Sequence, residues 1–283
     1  MHRSMRSLLL LAAAAGPLAA QAPRATQPDY AAAMLHEHGR ETPTASPIAR
    51  IAPRTAVTGT EVMYGMVDGK MIHGYFAKPT GAARGGPALI VVHEWWGLND
   101  NIKAVADRYA GEGYTVLAVD LFGRVATTPD TAMVLYQAAM KDVAGGEKNL
   151  AAAIAYLKAQ GVGKIGSVGY CFGGHWSLRT GLVGGADIKA VTIYYGAPIT
   201  DPAQLQRLKA PVLGLYGGLD KGIPVDSVRA MERVMKSAGR SVSINVYPEA
   251  NHAFANPSGQ AYNAAAATDA WTKSLAFFRA NLR

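Results

Sequence analysis

The stretch "IGSVGYCFGGHWSLRTGL", residues 165–182, joins a buried apolar run to a helical pattern through a single cysteine. Gly169 and Gly173 lie two residues to either side of Cys171. A sharp strand-to-helix turn leaves no room for a Cβ at those two positions, and glycine has none. The pattern therefore predicts an elbow that presents the Cys171 side chain at the end of a strand.

The helix expected after the elbow begins beside Cys171, so that its N-terminal dipole and free N–H groups face the sulfur. Such a position favours the thiolate, which is the nucleophilic form of cysteine. The alternative is a small, inert core cysteine between chance glycines, and the five-residue pattern alone leaves it open.

Strand and helix patterns alternate on both sides of the elbow. A hairpin is expected around Asp68-Gly69, a two-residue turn signal. Apolar strands alternating with helices indicate a mostly parallel sheet with helices on both faces, and we expect one α/β domain over 58–283. The predicted strands are 87–93, 114–123, 165–170, 187–196, 210–218 and 241–248, and the predicted helices are 101–113, 130–143, 146–160, 225–238 and 264–281.

The N-terminus has the pattern of an export signal. Arg3 and Arg6 precede the apolar run "SLLLLAAAAGPLAA" (7–20), and small residues follow it. This predicts a secretory signal peptide over 1–22, cleaved within 19–22. The run is shorter than the roughly 20 residues that span a bilayer. We expect a periplasmic or secreted protein that is not held in a membrane.

Residues 23–57 are rich in Ala, Pro, Thr and Arg and have no sustained hydrophobic period, which predicts a flexible leader. His36 and His38 lie in it without a third ligand at a supporting spacing, so a metal site is not expected there. We expect no metal and no other cofactor in the protein.

Composition excludes several classes of partner and of stabilisation. The formal net charge is +8, but Lys and Arg are scattered, so neither a nucleic acid nor a membrane surface is the expected partner. One cysteine cannot form an intramolecular disulfide, so stability must come from the core. A redox-sensing thiol is disfavoured because the chain has no resolving cysteine. We expect a monomer.

Two further side chains follow predicted strands in the order that an elbow nucleophile requires. Asp220 follows the strand at 210–218, and His252 follows the strand at 241–248. Each has a plain alternative, a helix cap for Asp220 and a surface loop for His252. Acid and histidine in this order, each at a strand end, predict a Cys-His-Asp triad.

The stretch "VVHEWWGLNDN", residues 91–101, ends the first parallel strand with an acid and two tryptophans. The N–H groups of Phe172 and Trp95 are placed to form an oxyanion hole. Glu94 and Trp96 suggest an aromatic-walled substrate pocket, although Glu94 could also be an exposed loop acid.

With these residues the chain resembles the dienelactone hydrolase (carboxymethylenebutenolidase) family of the α/β-hydrolase fold. The resemblance covers 58–283. It implies that Cys171 is the nucleophile, His252 the base and Asp220 its orienting acid. Glu94 matches the family acid that contacts the cysteine and takes part in its activation. The matching stretches are 93–123, "GYCFGG" (169–174), "LYGGLD" (215–220) and "NHAFAN" (251–256).

The resemblance also implies a difference in substrate. The family's dienelactone enzymes hold the substrate carboxylate with two arginines, one of them four residues after the histidine. Here that position is Asn256, and "VATTPDTAMVLYQAAM" (125–140) lacks the other arginine. An amide supplies no full charge, so we expect no preference for anionic substrates. Lys221 and Arg124 are the remaining candidate cations.

The sequence thus predicts an exported hydrolase that opens a small ester or lactone through a thioester on Cys171. Peptides are a weaker candidate substrate. The alternative from another class is a non-catalytic binding protein that holds a small apolar ligand at Trp95 and Trp96.

Overall fold

The structure is a computed structural model that describes residues 30–41, 43 and 51–283. The predicted signal peptide lies outside these residues, as does much of the predicted leader. Within the described part of the chain, no helix has both the length and the apolar character needed to cross a membrane.

One eight-stranded sheet organises the chain, in the order β1-β2-β4-β3-β5-β6-β7-β8. The first two strands and the β2–β4 pair are antiparallel, and every other pair is parallel. The strands are β1 Val57–Val67, β2 Lys70–Pro79, β3 Ala88–Val92, β4 Thr115–Val119, β5 Ile165–Tyr170, β6 Ile188–Tyr194, β7 Val212–Gly217 and β8 Val242–Tyr247.

The predicted opening hairpin is the β1–β2 pair. Its two turn residues, Asp68 and Gly69, have φ angles of 46° and 77°. Positive φ at both central positions is the geometry of the hairpin turn that Asp-Gly favours.

Helices cover both faces of the sheet. On one face α2 and α8 meet, with the Tyr109 and Trp271 rings 4.4 Å apart. On the other face α4 packs on α5 so closely that a Cβ at Gly146 would overlap the Trp176 indole. The helices are α1 Tyr30–His38, α2 Asp100–Gly111, α3 Pro129–Lys141, α4 Val143–Ala159, α5 Phe172–Gly184, α6 Pro202–Leu205, α7 Val225–Ser237 and α8 Ala264–Leu282.

The helix α1 lies in the segment for which the sequence predicted a flexible leader. Its alanine-rich sequence favours helix intrinsically, but it has no hydrophobic period that would predict one. Contacts with the rest of the protein supply the missing signal: His38 is 4% exposed, and its ring lies 5.5 Å from that of Trp95. Short helices depend on such tertiary packing.

The parallel strands bring their carboxyl ends to one edge of the sheet. Glu94 follows β3, Cys171 follows β5, Asp220 follows β7 and His252 follows β8. Ligands of open α/β sheets bind at this edge. All four residues are almost fully buried.

Candidate active site

The elbow has the geometry that its glycines predict. Cys171 has φ 57° and ψ −118°, a conformation that a non-glycine residue adopts only where its surroundings enforce it. A Cβ at Gly169 would overlap the carbonyl oxygen of Gly173, and one at Gly173 would overlap that of Val92. The Cys171 N–H donates to the Tyr194 carbonyl at 2.9 Å, which ties the turn to the neighbouring strand.

Asp220 and His252 come together beside this cysteine. The Nδ1 atom of His252 lies 2.7 Å from Oδ2 of Asp220, and the other carboxylate oxygen accepts from the Ile223 N–H at 2.7 Å. The Cys171 sulfur lies on the other side of the imidazole, close enough for each group to shift the pKa of the other. The structure thus brings the three predicted residues into one line, with His252 in the middle.

Burial and charge set the protonation of this line. Burial raises the pKa of the Cys171 thiol, and the nearby His252 only partly offsets that effect. Burial opposes charge on His252 as well, but the Asp220 carboxylate and the sulfur outweigh it and hold the pKa of the imidazole above its usual value. Burial of the sulfur thus opposes the thiolate that the helix N-terminus and His252 favour.

The loop after β3 packs against the first turn of α5, where the Phe172 N–H hydrogen-bonds to the sulfur. A Cβ at Gly173 would lie 2.5 Å from the His93 carbonyl oxygen, so the two backbones touch at this point. Trp95 continues this loop and is 2% exposed. The two residues predicted to form an oxyanion hole therefore lie on adjoining segments.

Glu94 is held by an uncharged partner. Its Oε2 accepts from the Asn256 amide at 2.7 Å, and the Asn256 oxygen accepts from the Ser258 N–H and hydroxyl at 3.0 and 2.7 Å. Burial, followed by the Glu41 carboxylate, raises the pKa of Glu94 to about 7. The predicted acid is therefore a buried carboxyl group that titrates near neutral pH.

Two small cavities lie at the site and share Tyr195 as a wall. The first, about 10 Å³, lies beside Cys171 and His252, and the second, about 20 Å³, lies beside Glu94 and Asn256. The first has room for about one water molecule. Its described lining consists of Tyr30, Tyr136, Met140, Cys171, Phe172, His175, Tyr195, Ala197, Ile223 and His252.

The helix α1 closes the first cavity. Tyr30 lines it, and the ring of His38 meets that of His252 edge-on, with centroids 5.1 Å apart. The Nδ1 atom of His38 also lies 2.9 Å from Glu41, the residue whose carboxylate acts on Glu94. The segment that the sequence assigned to a leader therefore contacts the centre of the site.

One predicted pocket residue, Trp96, and the two candidate cations lie away from the cavities. Trp96 is 4% exposed and packs on Trp95, with ring centroids 4.8 Å apart, and it lines neither cavity. Lys221 and Arg124 are exposed, and they too are absent from the described walls of both cavities. Trp95 instead packs against His38 of α1 and Trp96 packs on Trp95, because large apolar rings gain more from mutual burial than from exposure in a wet cleft.

Sequence reasoning missed Tyr195 and His175. Tyr195, with φ 38°, follows β6, so the same strand-end argument could have found it. His175 lies four residues after Cys171 and hence on the same side of α5. Its Nδ1 donates to the Ala197 carbonyl at 3.1 Å, and its Nε2 accepts from Arg179 at 2.9 Å. Burial and Arg179 lower the pKa of His175 to about 4, so it is a neutral wall.

A metal centre was not expected from the sequence. Among the residues that the structure describes, no group of three or more His, Cys, Asp or Glu side chains is arranged to hold a metal ion.

Comparisons with known sequences agree on one family. The model of the dienelactone hydrolase family matches residues 72–282. A protein of Methylorubrum extorquens named "Putative carboxymethylenebutenolidase" is 35% identical over 237 residues, which is 77% of this chain and 80% of that protein. A protein of the same name from Saccharolobus solfataricus is 32% identical over 254 residues, covering 75% of this chain and 95% of its own length.

Solved structures share the fold. A dienelactone hydrolase from Anabaena variabilis superposes with a TM-score of 0.61 at 21% identity, covering 80% of this chain and 99% of the other. A dienelactone hydrolase-like promiscuous phosphotriesterase from metagenomic libraries superposes with a TM-score of 0.75 at 24% identity, covering 81% and 100%. At these identities the likeness concerns the fold. Together with the family match, it establishes that this chain is a hydrolase and a member of the dienelactone hydrolase family.

Proposed function

We propose that this hydrolase cleaves a small carboxylic ester or lactone through an acyl-thioester on Cys171. The observation that carries the proposal is the contact of the elbow thiol with an imidazole whose Nδ1 lies 2.7 Å from Asp220. A nucleophile, a base and a group that orients the base are the parts that covalent acyl transfer needs.

In the first half-reaction the Cys171 thiol loses its proton to His252, and the sulfur attacks the substrate carbonyl carbon. The carbonyl oxygen becomes an oxyanion, which the N–H groups of Phe172 and Trp95 stabilise. The carbon–oxygen bond to the alcohol then breaks. His252 returns the proton to the leaving oxygen, and the acyl group remains on the sulfur.

In the second half-reaction water replaces the alcohol. His252 takes a proton from the water as its oxygen attacks the thioester carbonyl, and the same two N–H groups hold the second oxyanion. The carbon–sulfur bond breaks, and the sulfur recovers the proton from His252. Asp220 keeps Nδ1 of the imidazole protonated, so that Nε2 faces the sulfur in every step.

Glu94 is a second acceptor for the thiol proton. Its pKa of about 7 means that it is partly ionised at neutral pH, and Asn256 occupies only one of its oxygens, so the other can take up a proton. The family resemblance assigns thiol activation to this acid. The resting thiol, whose pKa is raised, needs such help.

Leaving-group chemistry selects the substrate class. A thiolate is expelled from a tetrahedral adduct more easily than an amine, so activated esters and enol-lactones suit the site better than peptides. The neutral Asn256 amide can hydrogen-bond a polar substrate group without selecting a charged one. The buried, mutually packed Trp95 and Trp96 offer no support for the alternative of a binding protein for an apolar ligand.

The N-terminal pattern supports export. Arg3 and Arg6, the apolar run at 7–20 and the small residues after it form the basis for proposing a periplasmic or secreted enzyme. Sizing of the protein recovered from the culture medium or periplasm, with its N-terminus sequenced, tests this placement.

The central test uses Cys171→Ala, His252→Ala and the control His73→Ala, which changes an exposed histidine on β2. On p-nitrophenyl esters we expect no turnover by Cys171→Ala, a kcat lowered at least about 100-fold by His252→Ala, and no change in the control. Rapid quenching of the wild type should give a mass increase of one acyl group on the peptide that contains Cys171. Full activity of a folded Cys171→Ala variant would exclude the proposal.

A further inference from the structure

His93, the residue after β3, is completely buried between two aromatic rings. Its ring stacks on that of Phe172 at 5.5 Å and meets Phe122 edge-on at 4.6 Å. It has no exposure to solvent and belongs neither to the predicted triad nor to the predicted pocket. A buried polar side chain in such a place normally has a hydrogen-bonding role.

The partners of His93 determine where its proton lies. The Leu121 N–H donates to Nε2 at 3.1 Å, so Nε2 carries a lone pair. The Nδ1 atom lies 2.6 Å from the carbonyl oxygen of Glu94, which can only accept. Nδ1 therefore carries the proton and donates it to Glu94. Burial lowers the pKa of His93, against the opposing effect of Asp120, and favours this neutral form.

The hydrogen bond acts on the peptide unit that contains the predicted oxyanion donor. The carbonyl of Glu94 and the N–H of Trp95 belong to one planar trans peptide and point in opposite directions. The same oxygen also accepts from the Gly97 N–H at 3.2 Å. Fixing the carbonyl from one side therefore fixes the direction of the Trp95 N–H on the other.

Two donors on one carbonyl also polarise the peptide, since hydrogen bonds in series strengthen one another. The Trp95 N–H thereby becomes a better donor, and because it is already oriented it does not have to move when the oxyanion forms. The ring of His93, which orients the Trp95 N–H, also stacks on the ring of Phe172, whose N–H is the other predicted oxyanion donor. One side chain therefore contacts both halves of the predicted oxyanion hole.

We propose that His93 is a positioning residue that aims the Trp95 N–H at the developing oxyanion by holding the Glu94 carbonyl through Nδ1–H. This inference rests on the proposed function, because an oxyanion hole has a role only in acyl transfer. His93 touches neither substrate nor sulfur, and it acts through the peptide that it orients.

The test compares His93→Phe with His93→Asn. Phenylalanine keeps a ring between Phe122 and Phe172 but removes the donor, whereas the asparagine side-chain amide places an N–H close to the position of Nδ1. We expect His93→Phe to lower kcat on p-nitrophenyl esters at least about 10-fold with KM within about threefold. Loss of a whole oxyanion donor costs about 100-fold or more. His93→Asn should recover most of that loss.

A second readout separates positioning from damage to the elbow. Alkylation of Cys171 by iodoacetamide is a displacement at a saturated carbon and uses no oxyanion hole. Its rate should stay within about twofold of the wild type in both variants. A parallel fall of alkylation and kcat, equal impairment of the two variants, or a His93→Phe enzyme as active as the wild type would each overturn the proposal.

The design remains decisive if one variant fails to fold. If His93→Phe is unfolded by circular dichroism, His93→Leu replaces it, and His93→Asn alone still tests the idea because a folded but inactive enzyme contradicts it. Cys171→Ala serves as the reference. Wild-type hydrolysis that does not depend on Cys171 would refute the proposed function itself, whereas Cys171-dependent hydrolysis that is indifferent to His93 refutes only this inference.

Discussion

The two carboxylates of the site, Asp220 after β7 and Glu94 after β3, are both almost inaccessible to water, yet their partners differ. Asp220 faces an imidazole that can carry a positive charge and accepts a backbone N–H on its other oxygen. Glu94 faces the neutral amide of Asn256 and is close to a second acid, Glu41. Equal burial therefore leaves one carboxylate suited to stabilise a cation and the other suited to exchange a proton.

The largest expected effect comes from Asp220→Asn. Its amide oxygen can still accept from Ile223, but an amide N–H facing Nδ1 of His252 would favour the other tautomer, with its proton directed at the sulfur. We expect kcat on activated esters to fall by about three to four orders of magnitude. Asp226→Asn, on the exposed side of α7, is the control. Steady-state kinetics within tenfold of the wild type would make Asp220 a structural cap.

Glu94→Gln should have a smaller effect that depends on pH. Because the folded pKa of Glu94 is about 7 and the usual value is 4.5, the folded state binds the extra proton between these values. The contribution of this protonation to the free energy of unfolding is fully present below pH 4.5 and is lost as the pH rises through 7. Glutamine has no such charge to bury. We expect Glu94→Gln to raise the free energy of unfolding at pH 8 by about 3 kcal/mol.

Urea unfolding at pH 4.5 and pH 8 checks this prediction. The two proteins should differ little at pH 4.5, where Glu94 is protonated. Glu249→Gln, an exposed change, should show no pH-dependent gain. A glutamine variant that is less stable than the wild type at pH 8 would mean that Glu94 is ionised and well paired in the folded protein.

The smallest expected effect is that of Asn256→Arg. A guanidinium beside Glu94 favours the ionised carboxyl and so lowers its pKa, which should move the acidic limb of the kcat/KM profile below pH 7. Asn256→Gln, another neutral amide, should leave that limb in place.

The wild type should hydrolyse a carboxylate-bearing lactone and its methyl ester at similar kcat/KM, whereas the arginine variant should favour the carboxylate-bearing lactone by about tenfold or more.

A hundredfold preference of the wild type for the carboxylate-bearing lactone would contradict the claim that the neutral Asn256 amide does not select charged substrates. Some other cation would then have to reach the substrate. Lys221 and Arg124, which the structure leaves exposed, would be the first to change to alanine.

The sequence predicted the positions of both carboxylates but not their difference. Asp220 and Glu94 each follow an apolar run, and parallel strands must bring such ends to one edge. The pKa of Glu94 depends on how completely water is excluded from it and on the charge of Glu41, a residue of the predicted leader that the fold brings close to the site. The helix α1 of that leader could not be predicted, because its sequence has no hydrophobic period and contacts with distant residues hold it in place.

Trp96 shows the same limit. Its place at a strand end was correct, but strand ends do not determine which way a loop side chain turns, and here it packs on Trp95. For His93 the sequence predicted the position but not the role. The motif contained it, but its role depends on the partners of its two ring nitrogens. Nε2 accepts from the Leu121 N–H and Nδ1 donates to the Glu94 carbonyl, and only the folded chain brings these groups together.

The strand order has a consequence for folding. The residues of the site follow β3, β5, β7 and β8, so their meeting depends on parallel pairings between distant parts of the chain, which form slowly. Until β8 docks on β7, His252 is away from the elbow and does not yet form part of the wall beside Cys171. During refolding, the thiol should therefore react fastest with alkylating agents before the sheet is complete, and esterase activity should appear only with its last strand.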